Sequence, residues 1–226
     1  MSPSPLASAA FALPTAAGWA AIAASYLLGA VPFGLVLVWL AKGQDLRKFG
    51  SGNIGATNAM RAAGKPIGVL SCVLDWGKGW LPVAVLAPRL ASGTADVLDL
   101  QVYCGAAAVL GHCFPVYLGF RGGKGVATGT GALAGLDPVL LLIGFGVWVV
   151  VLFTTRYVGL ASIALGFAFP VAAWWRSGPG EGPEILIGSS LLTLLILVRH
   201  RSNMARMLAG TEPKIGTKAG DEGGTA

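Results

Sequence analysis

The sequence predicts an all-α polytopic membrane protein of about seven transmembrane helices, with the N-terminus extracytoplasmic and the C-terminus cytoplasmic. Three observations carry that expectation. Hydrophobic residues fill 54% of the 226 positions and charged residues only 12%, against about 25% charged in soluble domains, and the mean hydropathy is +0.71. Apolar stretches near the ~20 residues that cross a bilayer recur along the chain. Lysines and arginines gather between those stretches, where they orient a membrane protein. One integral domain over 1–210, followed by a polar, disordered cytoplasmic tail over 211–226, accounts for the pattern.

The chain opens with MSPSPLASAAFALPTAAGW, which has no Lys or Arg before its apolar run. It lacks the basic start of a secretory signal and reads as a mature, uncleaved end. The apolar segments follow at 19–40, 67–86, 97–118, 126–136, 138–153, 158–175 and 185–198. The fourth, with its 11 residues, reaches about 17 Å at ~1.5 Å per residue, roughly half of a ~30 Å hydrocarbon core. It is either a half-helix buried in protein or the first part of a longer span reaching Phe153.

Charge decides between the two. With a break at the Asp137-Pro138 turn signal, one face of the membrane collects Lys42, Arg47, Lys48, Arg61 and Lys65, then Arg121 and Lys124, then Arg156, then the cations from Arg199 onward. Only Arg89 and Arg176 fall opposite, and Lys78 lies inside a span. Fusing the fourth and fifth segments would export Arg156 and every later cytoplasmic cation, against the positive-inside rule. The loops after the first, third and seventh helices therefore share the cytoplasmic face.

Cys72, Cys104 and Cys113 form no CxxC pair and read as packing residues rather than a disulfide framework or zinc site. Glycines and alanines within the spans, among them Gly105, Gly129, Gly131, Gly135, Gly144 and Gly146, read as close helix contacts. Asp75 and Lys78 share a helix face three residues apart, where they either serve function or brace helices. The net charge of +6 belongs to membrane orientation, and no nucleic-acid partner is expected.

The chemistry concentrates in the shared loops. GSGNIGATNAMR (50–61) contains G-x-G-x-x-G, but the charged KGQDLRKF before it is no buried strand, which excludes a dinucleotide site. The loop instead offers hydroxyls, N–H groups and the Arg61 guanidinium to an oxyanion. FRGGKG (120–125) resembles a P-loop, yet Leu118 replaces its first glycine and Gly125 its Ser/Thr. Gly122, Gly123, Lys124 and Gly125 still stand at a helix start, where an anion is favoured. His112 and His200 lie beside these loops. There is no G-x-S-x-G elbow and no H-x-x-x-x-D. The inward loops are nearly free of acids, so neither a Mg²⁺ site nor a cofactor is expected.

In order, GSGNIGATNAMR, GHCFPVYLGFRGGKGVAT and RHRSNMARMLAGTE resemble the acyl-phosphate:glycerol-3-phosphate acyltransferases of bacterial membranes, the PlsY family. The resemblance implies a multi-pass enzyme of the bacterial cytoplasmic membrane with its active site on the cytoplasmic side. It would transfer a fatty acyl group from acyl phosphate to the sn-1 hydroxyl of glycerol 3-phosphate, the first acylation of phospholipid biosynthesis. It implies Ser51, Asn53, Thr57 and Arg61 at a substrate phosphate, the Gly122, Gly123 and Gly125 loop with Lys124 at the acyl-phosphate group, and His200 and Asn203 at glycerol phosphate. Asn58 and His112 join the substrate-binding set. The partners it implies are the two substrates, membrane lipid, and the soluble enzyme that makes acyl phosphate. Ser51 lacks an evident base and reads as a ligand rather than a nucleophile. The attacking hydroxyl's proton goes to His200 or, preferably, to the donor phosphate. The alternative reading is a transporter of small anions or phosphate esters, for which no internal repeat is evident.

Overall fold

The computed structural model describes residues 13–91, 94–177 and 183–216. The first 12 residues, most of the expected uncleaved end, and residues 217–226 of the expected tail lie outside the described residues. Every regular element among the described residues is helical.

The expected segment 19–40 is two helices, α1 (Ala16–Ala30) and α2 (Phe33–Lys42), within one apolar stretch. Pro32 has no N–H to continue the ladder, and it pushes Val31 into extended backbone. Residues read as part of a loop form α3 (Ala56–Ala63), for which ATNAMRAA supplies helix-forming alanines behind the Gly55 N-cap. α4 (Lys65–Leu81) continues through a π-helical stretch at Pro82–Leu86 into α5 (Ala87–Leu90), so this span is longer than 67–86. Pro82 withdraws an N–H there, and Gln101 Nε2 donates to the Val83 carbonyl at 3.0 Å.

The expected span 97–118 is met, with α6 (Thr94–Cys113) ending before Pro115 and a 3-10 turn at Val116–Leu118 completing it. Then come α7 (Val126–Leu136), α8 (Pro138–Thr155), α9 (Val158–Arg176), α10 (Glu184–Arg199) and α11 (Arg201–Leu208). Asp137 ends α7 in extended backbone and caps α8 by accepting from Val139 N–H at 2.8 Å. Its other oxygen takes Arg176 at 3.0 Å, so that cation has a local partner.

Five of the described helical stretches are long and apolar enough to cross a membrane, or six when α10 and α11, bent by 53°, count as one. α7 is shorter, and Thr128, Gly129, Gly131, Ala132 and Leu133 on it are buried. Small residues allow this closeness. A Cβ on Gly29 would overlap the Ala108 carbonyl between α1 and α6, and one on Gly79 the Thr128 carbonyl between α4 and α7. Gly105, Gly129, Gly131, Gly135 and Gly144 are crowded as expected, whereas Gly146 has open space beside it and no packing role. Cys104 and Cys113 are buried packing residues, but Cys72 is exposed on the outer face.

Candidate active site

The three loops expected to share a face meet at one end of the bundle. Asn58 on α3 organises the first of them. Its Nδ2 donates to the carbonyls of Asn53 at 2.8 Å, Phe49 at 3.0 Å and Leu46 at 3.2 Å, and its Oδ1 accepts from Ser51 N–H at 3.3 Å. With its amide buried and occupied in this way, Asn58 shapes the loop from within, rather than lining the cleft as its expected place at a substrate implied. Asn53 Oδ1 closes a turn on Gly55 N–H at 2.8 Å. Ser51 is left exposed, Thr57 lies half-buried in the first turn of α3, and Arg61 extends from its last turn into solvent.

The second loop folds back on the end of α6. Gly122 N–H donates to the Cys113 carbonyl at 3.2 Å and Gly123 N–H to the His112 carbonyl at 3.0 Å. A Cβ on Gly122 would strike the His112 carbonyl and Pro115, and one on Gly123 would strike the His112 ring. Close backbone approach therefore requires these two glycines, and their N–H groups are already paired rather than open to an anion. Gly125, at φ +79°, makes the left-handed turn that starts α7. The N–H groups open to an anion are those of the first turn of α7, which have no partner within the helix.

The third block locks onto the second. Arg199 donates through Nε to the Gly123 carbonyl at 2.9 Å and through its terminal nitrogen to that of Gly122 at 2.7 Å, and lies over the Phe114 ring. Lys124 Nζ donates to Asn203 Oδ1. Asn203 Nδ2 donates to Glu212 Oε1 at 2.5 Å, and Arg206 Nε to Glu212 Oε2 at 2.7 Å. Residues 211–216, expected from polarity alone to belong to a disordered tail, are held here. Thr211 N–H donates to the Arg206 carbonyl at 2.8 Å and Ile215 N–H to that of Arg156 at 2.8 Å.

Burial pushes the Lys124 ammonium down to about 8; Glu212 opposes this, while Arg206, Arg61 and Arg199 add to it. The Arg61 charge, carried on a different loop, is felt at Lys124. His200, 2% exposed, sits at the bend between α10 and α11. Its Nδ1 lies 2.8 Å from the Ile196 carbonyl and must donate to it, leaving Nε2 as an acceptor. Burial, then the nearby Lys124 charge, lowers it to about 4, so the ring is neutral at physiological pH.

A cleft of about 740 Å³ opens beside this cluster, lined by Arg47, Ser51, Asn53, Leu118, Phe120, Arg121, Gly122 and Arg199. Arg61, Lys124, His200 and Asn203 stand outside its walls, and so does His112. It is buried under Gly123, with Nδ1 3.6 Å from Asp75 Oδ1. Asp75 Oδ1 pairs with Lys78 at 2.7 Å, and Lys78 donates to the Val31 carbonyl where α1 breaks.

Ser51, Arg61, Lys124, His200 and Asn203 thus come to one end of the molecule. Sequence reasoning missed Arg199, Arg206, Arg47 and Arg121, having assigned their charge to membrane orientation. The run RHRSNMAR (199–206) held a hint for Arg199 and Arg206, a cation on either side of His200 and another one helical turn past Asn203, and FRGGKG (120–125) held one for Arg121.

The family model described as glycerol-3-phosphate acyltransferase matches residues 19–210. The chain is 44% identical over 208 residues to the glycerol-3-phosphate acyltransferase of Dinoroseobacter shibae, covering 91% of this chain and 98% of that one. It is 39% identical over 216 residues to that of Acholeplasma laidlawii, covering 88% and 93%. Among solved structures it is similar to PlsY, an integral membrane glycerol 3-phosphate acyltransferase, in its glycerol 3-phosphate form, with a TM-score of 0.80, 39% identity and coverage of 88% of this chain and 96% of that one. The lysophosphatidic acid form gives a TM-score of 0.76 at 37% identity, with the same coverage. Alike in sequence over nearly its whole length and in fold, the chain belongs to the glycerol-3-phosphate acyltransferase family and is an integral membrane acyltransferase of the PlsY type.

Proposed function

We propose that the chain transfers a fatty acyl group from acyl phosphate to the sn-1 hydroxyl of glycerol 3-phosphate, giving 1-acyl-glycerol 3-phosphate and inorganic phosphate. The observation that carries this reading is the imbalance of charge at the loop cluster. Lys124 feels the charges of Arg206, Arg61 and Arg199 there, and among the described residues Glu212 is the carboxylate set against them. Such a site is completed by anions, and both substrates carry phosphate.

In this reading Ser51, Asn53, Thr57 and Arg61 hold one phosphate from the first loop, and Lys124 with the first turn of α7 holds the acyl phosphate. Asn203 and His200 Nε2 orient glycerol 3-phosphate. The acceptor oxygen bonds to the acyl carbonyl carbon, the carbon–oxygen bond to phosphate breaks, and phosphate leaves with the electron pair. The hydroxyl proton goes to the departing phosphate, a better base near neutral pH than an imidazole lowered to about 4. Holding two like-charged substrates in contact removes the entropy cost of bringing them together.

The topology that suits this is seven helices with the N-terminus outside, the loops and the C-terminus in the cytoplasm, and acyl phosphate arriving from the soluble enzyme that makes it. The test is release of inorganic phosphate by the purified protein given palmitoyl phosphate and glycerol 3-phosphate, with acyl-CoA as a parallel donor. Release that needs both substrates supports the reading. Acylation from acyl-CoA but not from acyl phosphate would overturn the donor assignment.

A further inference from the structure

We propose that Asp75 and His112, sealed inside the bundle, are positioning residues that set the height and direction of Lys124. The inference rests on the reading of Lys124 as the acyl-phosphate ligand. A chain of contacts runs from the first helix break to the site. The Val31 carbonyl accepts from Lys78 Nζ at 2.7 Å, and Lys78 pairs with Asp75 Oδ1 at 2.7 Å. The same carboxylate oxygen faces His112 Nδ1 at 3.6 Å. His112 then meets Gly123 twice, its carbonyl accepting the Gly123 N–H at 3.0 Å and its ring filling the space that a Gly123 side chain would need. Lys124 is the next residue.

A brace between helices needs only the ion pair of Asp75 with Lys78. It does not need an imidazole in contact with the loop, nor that imidazole's inner nitrogen turned to the carboxylate. Nor is His112 there merely to fill space, because an apolar ring would fill it without burying a nitrogen that lacks a hydrogen-bond partner. With the His112 ring seated against Gly123, its Nδ1 facing Asp75 at 3.6 Å, and Arg199 holding the Gly122 and Gly123 carbonyls, the loop is gripped from two directions. Asp75 and His112 touch no substrate in this arrangement and act on the reaction through the loop alone.

The test is a double-mutant cycle in the full-length detergent-purified protein, with KM for palmitoyl phosphate, kcat and thermal midpoint measured for each chain. One arm is Gly123→Ala, which presses on the His112 ring. The other is Asp75→Asn with Lys78→Met, which removes both charges together and frees the ring. Each arm is expected to raise KM about tenfold with kcat within about twofold, and the combined chain to be no worse than the worse arm, because a freed ring can yield to the added methyl. Effects that multiply, or a lowered thermal midpoint with wild-type KM, would overturn the proposal. If the paired replacement does not fold, His112→Phe takes its place as the second arm. It leaves the ion pair intact, and the same KM rise supports the proposal while a wild-type KM sinks it. An unmodified protein inactive with acyl phosphate would sink the donor reading instead, which keeps the two failures apart.

Discussion

In the middle of the bundle one carboxylate, Asp75, faces Lys78 and His112, and the three side chains are 2%, 3% and 5% exposed. At the rim, among the described residues, the carboxylate of Glu212 pairs with Arg206 and Asn203, Asn203 also takes Lys124, and the charges of Arg61 and Arg199 are felt at Lys124. The inner group is closed in charge, one ammonium against one carboxylate, with Lys78 also satisfied by the Val31 carbonyl and lying over the Phe33 ring. The outer group carries several cations against one acid and borders an open cleft. Low dielectric makes balance compulsory inside, because an unpaired charge there is costly. Partial solvation lets the rim hold an excess, which gives it affinity for anions. A charged cluster in a membrane protein therefore suggests a ligand when its charges do not cancel.

The largest expected effect comes from breaking the inner balance. Lys78→Ala strands Asp75 and should cost about 3–5 kcal/mol of stability, read as a large fall in thermal midpoint and in yield. Asp75→Asn with Lys78→Met should recover most of that midpoint. At the rim the order reverses. Lys124→Ala should lower phosphate release by about 10²–10³-fold while leaving the thermal midpoint near wild type. A matching collapse of stability would erase the distinction between the two clusters.

Arg199→Lys keeps the charge but loses the fork that holds two loop carbonyls. A fall of about tenfold in kcat/KM is expected, about 1.4 kcal/mol of transition-state binding, whereas unchanged kinetics would mean that charge alone matters there.

The pH dependence sharpens the comparison further. Lys124 is cationic below about 8 and loses its charge above it, so KM for acyl phosphate should hold steady up to pH 7 and rise between pH 8 and 10. Bound phosphate stabilises the ammonium, so kcat should fall only at higher pH than kcat/KM does. The smallest change is expected from Asp45→Asn. Its pair with Arg47, 2.7 Å apart, is exposed and screened by solvent, and no shift in thermal midpoint should be measurable.

Much of the fold was readable because hydrophobic runs and breakers act locally. The segment 126–136 coincides with α7, and the Asp137-Pro138 break stands where its chemistry predicts. Elements set by context were harder to read. A proline at 32 divided a run that hydropathy treats as continuous, and α3 formed from residues whose glycine-rich approach suggested only loop. Arg61, Lys124, His200 and Asn203 were expected from ordered motifs, and the structure brings Lys124 and Asn203 into contact. Asn58 and His112 are buried behind the loops, since a motif marks a residue as required without saying whether it faces a ligand or supports one that does. The glycines of the second loop looked like an anion cradle, and two of them turned out to be clearance for His112.

The sequence by itself determined that this chain is a helical membrane protein and where most of its helices run, since composition and periodicity depend on neighbours a few residues away, and the order of its three polar blocks pointed to its family. Only the tertiary structure decided which charges pair and which remain in excess. Asp75 meets His112 37 positions away, and Lys124 meets Asn203 79 positions away. Those pairings arise from helix packing at glycine contacts, and no local pattern encodes which distant side chain will stand opposite.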